Sequence, residues 1–294
     1  RGLVGSEMCI RDSLYRTENL YLRLDGWPDE QVQHEEYAAA VKAAKGRPVT
    51  FRTLDLGGDK RLGDLADEAN PFMGYRAVRL CLERPDVFRP QLRALIRAAT
   101  HGPVQVMFPM ISGVEELRRA KEIFRDVEAE LAREGVRPAS PIRLGAMIEI
   151  PSAAAVADEL AAEADFFSVG TNDLVQYLLA VDRGNQRVAS LYDPCHPAVV
   201  RTLMAIFAAA KKRGIPAAVC GELGGDPLWA PLLIGLGVHE LSMSPAALPE
   251  VRFVLRHSAS AELRELAAKV VASADAAKTR ALLQDFASAK LKLR

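Results

Sequence analysis

Short apolar runs alternate with longer amphipathic stretches along this chain. Residues 49–54, 104–109, 142–150, 166–169, 217–220 and 238–243 are apolar nearly throughout and gather polar residues at their C-terminal ends, the pattern of parallel strands buried on both faces. Between them, 114–133 and 198–213 repeat apolar positions with a helical period, and the second ends at Gly214, as a helix C-terminus should. Strand–helix alternation with polar strand ends predicts an α/β fold, a (β/α)8 barrel whose chemistry lies at the C-terminal ends of its strands. Six strands are evident; a seventh is expected near 14–16, and the eighth has no clear place. From Ser258 onward the chain is Ala-rich and helical without a strand signal, which predicts extra C-terminal helices outside the barrel. The opening RGLVGSEMCIRDS shows neither period 2 nor period 3.6, so 1–13 is set aside as a non-native scar and 14–294 is expected to form one barrel domain.

Composition narrows the functional classes. The chain has 294 residues, 49% of them apolar, ample for a buried core. Thirty-eight basic residues balance 38 acidic ones, so no global field draws it to nucleic acid or to an anionic membrane, and any anion site must be local. No apolar run approaches the roughly 18 residues of a membrane span, and the N-terminus lacks a charged-then-apolar leader. Cys9, Cys81, Cys195 and Cys220 are scattered without CxxC spacing, which argues against a zinc site or a disulfide framework and fits a cytoplasmic location.

The segment 145–173 carries the densest chemistry. Glu149 closes an apolar strand, Pro151 starts a helix where its missing N–H costs nothing, and the next strand ends in Gly170-Thr171-Asn172-Asp173. Parallel neighbours joined by one crossover end on the same side of a sheet, so Glu149 and Asp173 can converge on one cation. Two carboxylates and the Asn172 amide suit Mg²⁺, which keeps waters and takes further oxygens from a phosphorylated substrate. Taken alone, Glu149 reads equally well as a strand-end acid in a salt bridge, and Asn172-Asp173 as the cap of the helix that follows. The pair argues for a metal, because an acid in an apolar strand needs a partner to offset its desolvation.

Strand ends elsewhere supply positive charge. Arg52 interrupts an apolar strand and precedes the Gly-rich Asp55-Leu56-Gly57-Gly58-Asp59-Lys60, which is either a ligand loop or a plain turn; Arg16, Arg76, Arg79 and Arg183 lie near other element ends. A lone Arg is ordinarily a surface residue, but Arg52 within a strand requires an anionic partner. Cys220 closes its strand before Gly221-Glu222; a buried cysteine is usually inert, yet at a barrel mouth its thiol can act as proton donor or nucleophile. His196 reads as a helix start, and no Ser/His/Asp triad or Walker loop is present.

Together these segments resemble the C-terminal half of Enzyme I of the bacterial sugar phosphotransferase system, the phosphoenolpyruvate-protein phosphotransferases. The resemblance runs from about Leu14 to the end and is carried by Arg16-Thr17-Glu18, the run from Phe51 to Lys60, Asn70-Pro71-Phe72-Met73-Gly74-Tyr75-Arg76, and Met107-Phe108-Pro109-Met110. It continues through the run from Phe167 to Leu174, that from Ala180 to Asn185, Val219-Cys220-Gly221-Glu222 and Leu241-Ser242-Met243-Ser244.

The resemblance implies a (β/α)8 barrel that binds phosphoenolpyruvate and Mg²⁺, releases pyruvate and supplies a homodimer interface. It implies Glu149 and Asp173 as metal ligands, Asn172 as a phosphoryl contact, and Arg16, Arg52, Arg76 and Arg183 around the substrate's phosphate and carboxylate. Cys220 would protonate the enolate carbon, making Cys220, Arg52 and Arg183 the catalytic set. The family's phosphoryl acceptor is a histidine on a separate N-terminal domain that docks the carrier HPr; nothing like it is expected in this chain. The sequence before Leu14 departs from the family pattern, and Asn19 stands where an aromatic is usual. Two alternatives remain: the barrel of a related pyruvate phosphate dikinase or phosphoenolpyruvate synthase, and a non-catalytic module for sensing phosphoenolpyruvate or for dimerisation.

Overall fold

A computed structural model describes residues 9–11, 14–57, 62 and 68–292. In chain order the elements are β1 (Cys9–Arg11), β2 (Leu14–Arg16), α1 (Glu18–Leu24), α2 (Glu30–Ala43), β3 (Val49–Arg52), α3 (Val78–Glu83), α4 (Pro85–Ala98), β4 (Val104–Phe108) and α5 (Val114–Arg133). Then follow β5 (Arg143–Ile148), α6 (Pro151–Ala155), α7 (Ala157–Glu163), β6 (Phe167–Gly170), α8 (Thr171–Leu179), α9 (Pro197–Arg213) and β7 (Ala217–Cys220). The chain closes with α10 (Trp229–Gly235), β8 (Glu240–Ser242), α11 (Leu248–Arg256), α12 (Ser260–Val271) and α13 (Ala276–Leu291). The fold is α/β, of the (β/α)8-barrel class with additional C-terminal helices. Each strand from β2 to β8 is followed by at least one helix.

The residues group into two compact units. The first, 14–147 with 163–165, contains the parallel strands β2, β3, β4 and β5 in that order, with Arg16 opposite Arg52 and Phe51 opposite Val106. Apolar positions along β3 and β4 are sealed: Phe51, Val106, Met107 and Phe108 are all buried. α5 keeps the bounds its periodicity predicts. It buries Leu117, Ala120, Phe124, Val127 and Leu131, steps of three and four that put one stripe against the core. Each large side chain so buried contributes about 1.5–3 kcal/mol. α2 starts at an Asp29 cap, whose carboxylate accepts from Val32 N at 2.8 Å, and packs on α4.

The second unit, 148–162 and 166–292 with 9–11, has the parallel order β1, β8, β7, β6. The strand that periodicity could not place is β1, within the stretch set aside as non-native. It precedes β2 without a helix and pairs through its backbone with β8, Ile10 opposite Leu241. Residues 1–8 and 12–13 of that stretch lie outside the described residues. α9 begins at His196, whose Nδ1 accepts from Ala198 N at 3.1 Å, and ends at Gly214 in the left-handed conformation, as predicted. The helix begun by Pro151 comes as two short pieces, because Val156 leaves helical geometry with φ −109° and ψ 30°. The expected C-terminal helices are α12 and α13; Asp275 caps the latter by accepting from Lys278 N at 2.7 Å.

Candidate active site

In the first unit the predicted arginines sit among carboxylates of the chain itself. β2 ends at Arg16, which is exposed and whose side chain makes no hydrogen bond or ion pair with the described residues. Its register partner Arg52 ends β3 and is only 8% exposed. One Arg52 nitrogen pairs with Glu18 in the first turn of α1; another lies 3.0 Å from Asp55 Oδ2. Arg76 reaches the same Asp55 from the next loop, donating from Nη2 to Oδ1 at 2.9 Å and Oδ2 at 3.1 Å, and from Nε to Oδ1 at 3.2 Å. All four groups are buried, and buried charges persist only when paired in this way. The anionic partner that Arg52 demands is thus present before any substrate arrives.

A buried polar network braces this cluster. Thr17 Oγ1 donates to the Arg52 carbonyl at 2.9 Å, and Gln91 on α4 donates to Thr17 Oγ1 at 3.1 Å while accepting from Leu54 N at 2.9 Å. The amide therefore ties β3, the start of α1 and α4 together. Sequence reading passed over Gln91, and it gave Thr17 and Glu18, quoted only as part of a motif, no role of their own. The signal for Gln91 is legible: it falls on the apolar stripe marked by Phe88, Leu92 and Leu95, where a polar side chain must find partners.

In the second unit the metal and thiol candidates come from three strand ends. Glu149 directly follows β5 and is 2% exposed. Asn172 and Asp173 lie in the first turn of α8, immediately after β6. The helix-cap reading does not hold for Asn172: Gly170 occupies the cap position, and the Asn172 carboxamide oxygen accepts from Glu222 N at 3.2 Å. Cys220 ends β7 opposite Gly170. Ser168 Oγ donates to its sulfur at 3.3 Å, and the thiol donates to the Val169 carbonyl at 3.4 Å. A carbonyl can accept only from S–H, so this contact is open to the thiol and not to the thiolate.

The turn after Cys220 is stitched to the start of α8. Thr171 Oγ1 donates to the Cys220 carbonyl at 3.1 Å. Gly221 has φ 101°, and a Cβ there would lie 2.7 Å from Thr171 Oγ1 and 3.0 Å from Asn172 Oδ1. Only glycine permits so close an approach. The thiol and the Asn172–Asp173 turn consequently form one rigid piece.

Arg183 lies on the loop after α8, its N–H donating to Gln176 Oε1 at 3.2 Å. Its guanidinium stands 3.6 Å from the Glu222 carboxylate, with side-chain exposures of 39% and 81%, a loose, solvated pair. Tyr192, a residue sequence reading missed, donates to the Asn172 carbonyl at 3.2 Å. Burial pushes its hydroxyl up to about 12; nearby Arg183 opposes that shift, and Glu222 and Asp173 add to it. Tyr192 therefore stays protonated and shares the electrostatic surroundings of the predicted metal and substrate residues.

The donor set accords with a hard cation. Glu149 and Asp173 offer carboxylate oxygens, and among the described residues no group of three or more His, Cys, Asp or Glu is placed to hold a metal ion, as a structural zinc would need. Two carboxylates leave most of an octahedral shell to water and substrate, which suits Mg²⁺ and not a structural zinc.

The family profile described as PEP-utilising enzyme, PEP-binding domain, matches residues 13–260. The phosphoenolpyruvate-protein phosphotransferase of Staphylococcus carnosus is 46% identical over 275 residues, covering 93% of this chain and 48% of that protein. Its namesake from Priestia megaterium is 48% identical over 252 residues, covering 85% and 44%. The chain thus spans about half the length of the curated relatives it matches. A solved structure titled Haloferax volcanii malate synthase magnesium/glyoxylate complex superposes with a TM-score of 0.53 at 13% identity, covering 92% of this chain and 78% of that one, a likeness of fold alone.

Proposed function

Because the chain belongs to the PEP-binding domains of the PEP-utilising enzymes, we propose that it is the phosphoenolpyruvate- and Mg²⁺-binding catalytic domain of a phosphoenolpyruvate-protein phosphotransferase. The observation that carries this reading is the join between Cys220 and the Asn172–Asp173 turn: a thiol fastened beside an acid and an amide suited to a phosphorylated, metal-bound substrate.

Arg16, Arg52, Arg76 and Arg183 bind the substrate's phosphate and carboxylate, offsetting their charge so that a nucleophile can approach. Glu149 and Asp173 hold Mg²⁺, which when bound neutralises phosphoryl oxygens, and Asn172 contacts the same group. As the bridging P–O bond breaks, a P–N bond forms to a histidine on a separate domain. Cys220 delivers its proton to C3 of the enolate, giving pyruvate, and the thiolate regains a proton from solvent. The phosphohistidine then passes its phosphoryl group to HPr. On this reading 14–294 is one catalytic domain working in a cytoplasmic homodimer, and no nucleic acid or membrane takes part. Among the described residues no helix is long and apolar enough to cross a membrane.

The test supplies a relative's histidine-bearing domain in trans and follows pyruvate. Mg²⁺-dependent pyruvate release with phosphorylation of that domain is expected. Phosphoenolpyruvate binding without any release would overturn the catalytic reading in favour of a sensing or dimerisation module, and transfer that occurs only with ATP and phosphate or water would favour the dikinase or synthase.

A further inference from the structure

Three contacts lock the loop after β3 to the loop before α3. Asp55 takes Arg52 on Oδ2 at 3.0 Å and Arg76 on both oxygens. Ala77 N donates to the Leu56 carbonyl at 3.1 Å. Gly57, with φ 111°, lets the Arg76 side chain in so closely that a Cβ on residue 57 would lie 2.4 Å from Arg76 Cβ. Ala77 is itself held at φ 54° and ψ −128°, a conformation L-residues rarely adopt, and at 1% exposure it is kept there by its surroundings. Backbone strain directly beside Arg76 indicates that the direction of this side chain is being fixed.

Charge counting sharpens the point. Among the described residues, Arg52 and Arg76 are paired with Glu18 and Asp55, two cations with two anions, and guanidinium groups already paired in this way are a poor trap for anions in general. Its value lies in geometry: two planar forks, presented at a set angle, can meet a phosphate and a carboxylate on one small molecule.

We propose that Asp55 is a positioning residue that fixes Arg52 and Arg76 relative to one another, so that the site selects phosphoenolpyruvate by the arrangement of its two anionic groups and not by charge alone. This rests on the assignment of Arg52 and Arg76 to the substrate made above. The test is calorimetric titration of the wild-type chain, Asp55→Asn and Asp55→Glu with phosphoenolpyruvate and, separately, with inorganic phosphate at fixed ionic strength and Mg²⁺, with thermal melts alongside.

Asp55→Asn removes a negative charge beside two guanidinium groups, so phosphate should bind as well as before or better. Phosphoenolpyruvate, deprived of oriented partners, should bind about tenfold to a hundredfold more weakly. Asp55→Glu keeps the charge but moves the carboxylate by one methylene, so the ratio of the two affinities should fall there too, by less; it decides the matter if Asp55→Asn does not fold. A merely structural role would weaken both anions alike. An unchanged affinity ratio in the folded variants would overturn the proposal. A wild-type chain that binds phosphate but not phosphoenolpyruvate, or neither, would overturn the substrate reading beneath it and the proposal with it.

Discussion

Replacing Gly221 by Ala should destabilise the fold by about 2–4 kcal/mol. The position has φ 101° and ψ −174°, a region nearly reserved to glycine, where an L-residue costs about 1–3 kcal/mol. The new Cβ would also lie 2.7 Å from Thr171 Oγ1, so the hydroxyl must turn away and give up its bond to the Cys220 carbonyl, worth about 0.5–1.5 kcal/mol. Gly214→Ala is the matched control: φ is 70° with nothing within 4 Å of a Cβ, so only the conformational cost of about 1 kcal/mol applies. Urea denaturation of both variants beside the wild type measures the difference. Equal losses at the two positions would refute the claim that the Cys220 turn and the start of α8 are locked together.

Other substitutions separate the roles of neighbouring groups. Cys220→Ala should leave phosphoenolpyruvate binding nearly intact but slow pyruvate formation when the histidine domain is supplied; an unchanged rate would remove the thiol from the mechanism. Arg52→Ala should destabilise the chain by about 3–5 kcal/mol, because Glu18 and Asp55 lose a buried counter-charge, and should abolish measurable substrate binding in the same titration. Glu36 is held below the usual carboxylate range by hydrogen bonds from Arg23 and Tyr15. Its contribution is therefore present above the unfolded-state value and is lost as pH falls through the lower folded one. Glu36→Gln should have a flatter acid limb in a stability–pH profile, meeting the wild type at low pH.

Much of this architecture was legible because most strands carry short apolar runs and the longer helices are amphipathic, so the period changes between them. α5 and the end of α9 fall where the pattern placed them, and Glu149 and Cys220 stand at the ends of β5 and β7 as expected, whereas β6 stops at Gly170 and Asp173 belongs to the first turn of α8. Periodicity could not reveal β1, which is three residues long and held through its backbone to β8. Nor could it reveal what faces a buried charge. Arg52 announced a need for an anion, but Glu18 lies 34 positions away in the chain and Asp55 only three, and nothing in the spacing ranks either above a bound phosphate. Tyr192 was hidden for a related reason: it sits in an irregular loop and gains its place only by reaching back to the Asn172 carbonyl.

The central claim is that this chain carries a working, metal-dependent phosphoenolpyruvate site. Titration of the purified protein with phosphoenolpyruvate by calorimetry, once with Mg²⁺ and once with EDTA, tests it most directly. Saturable binding that needs Mg²⁺ and is lost in Glu149→Gln and Asp173→Asn is the predicted result. Binding that is indifferent to the metal and to both carboxylates, or no binding in either condition, would contradict it.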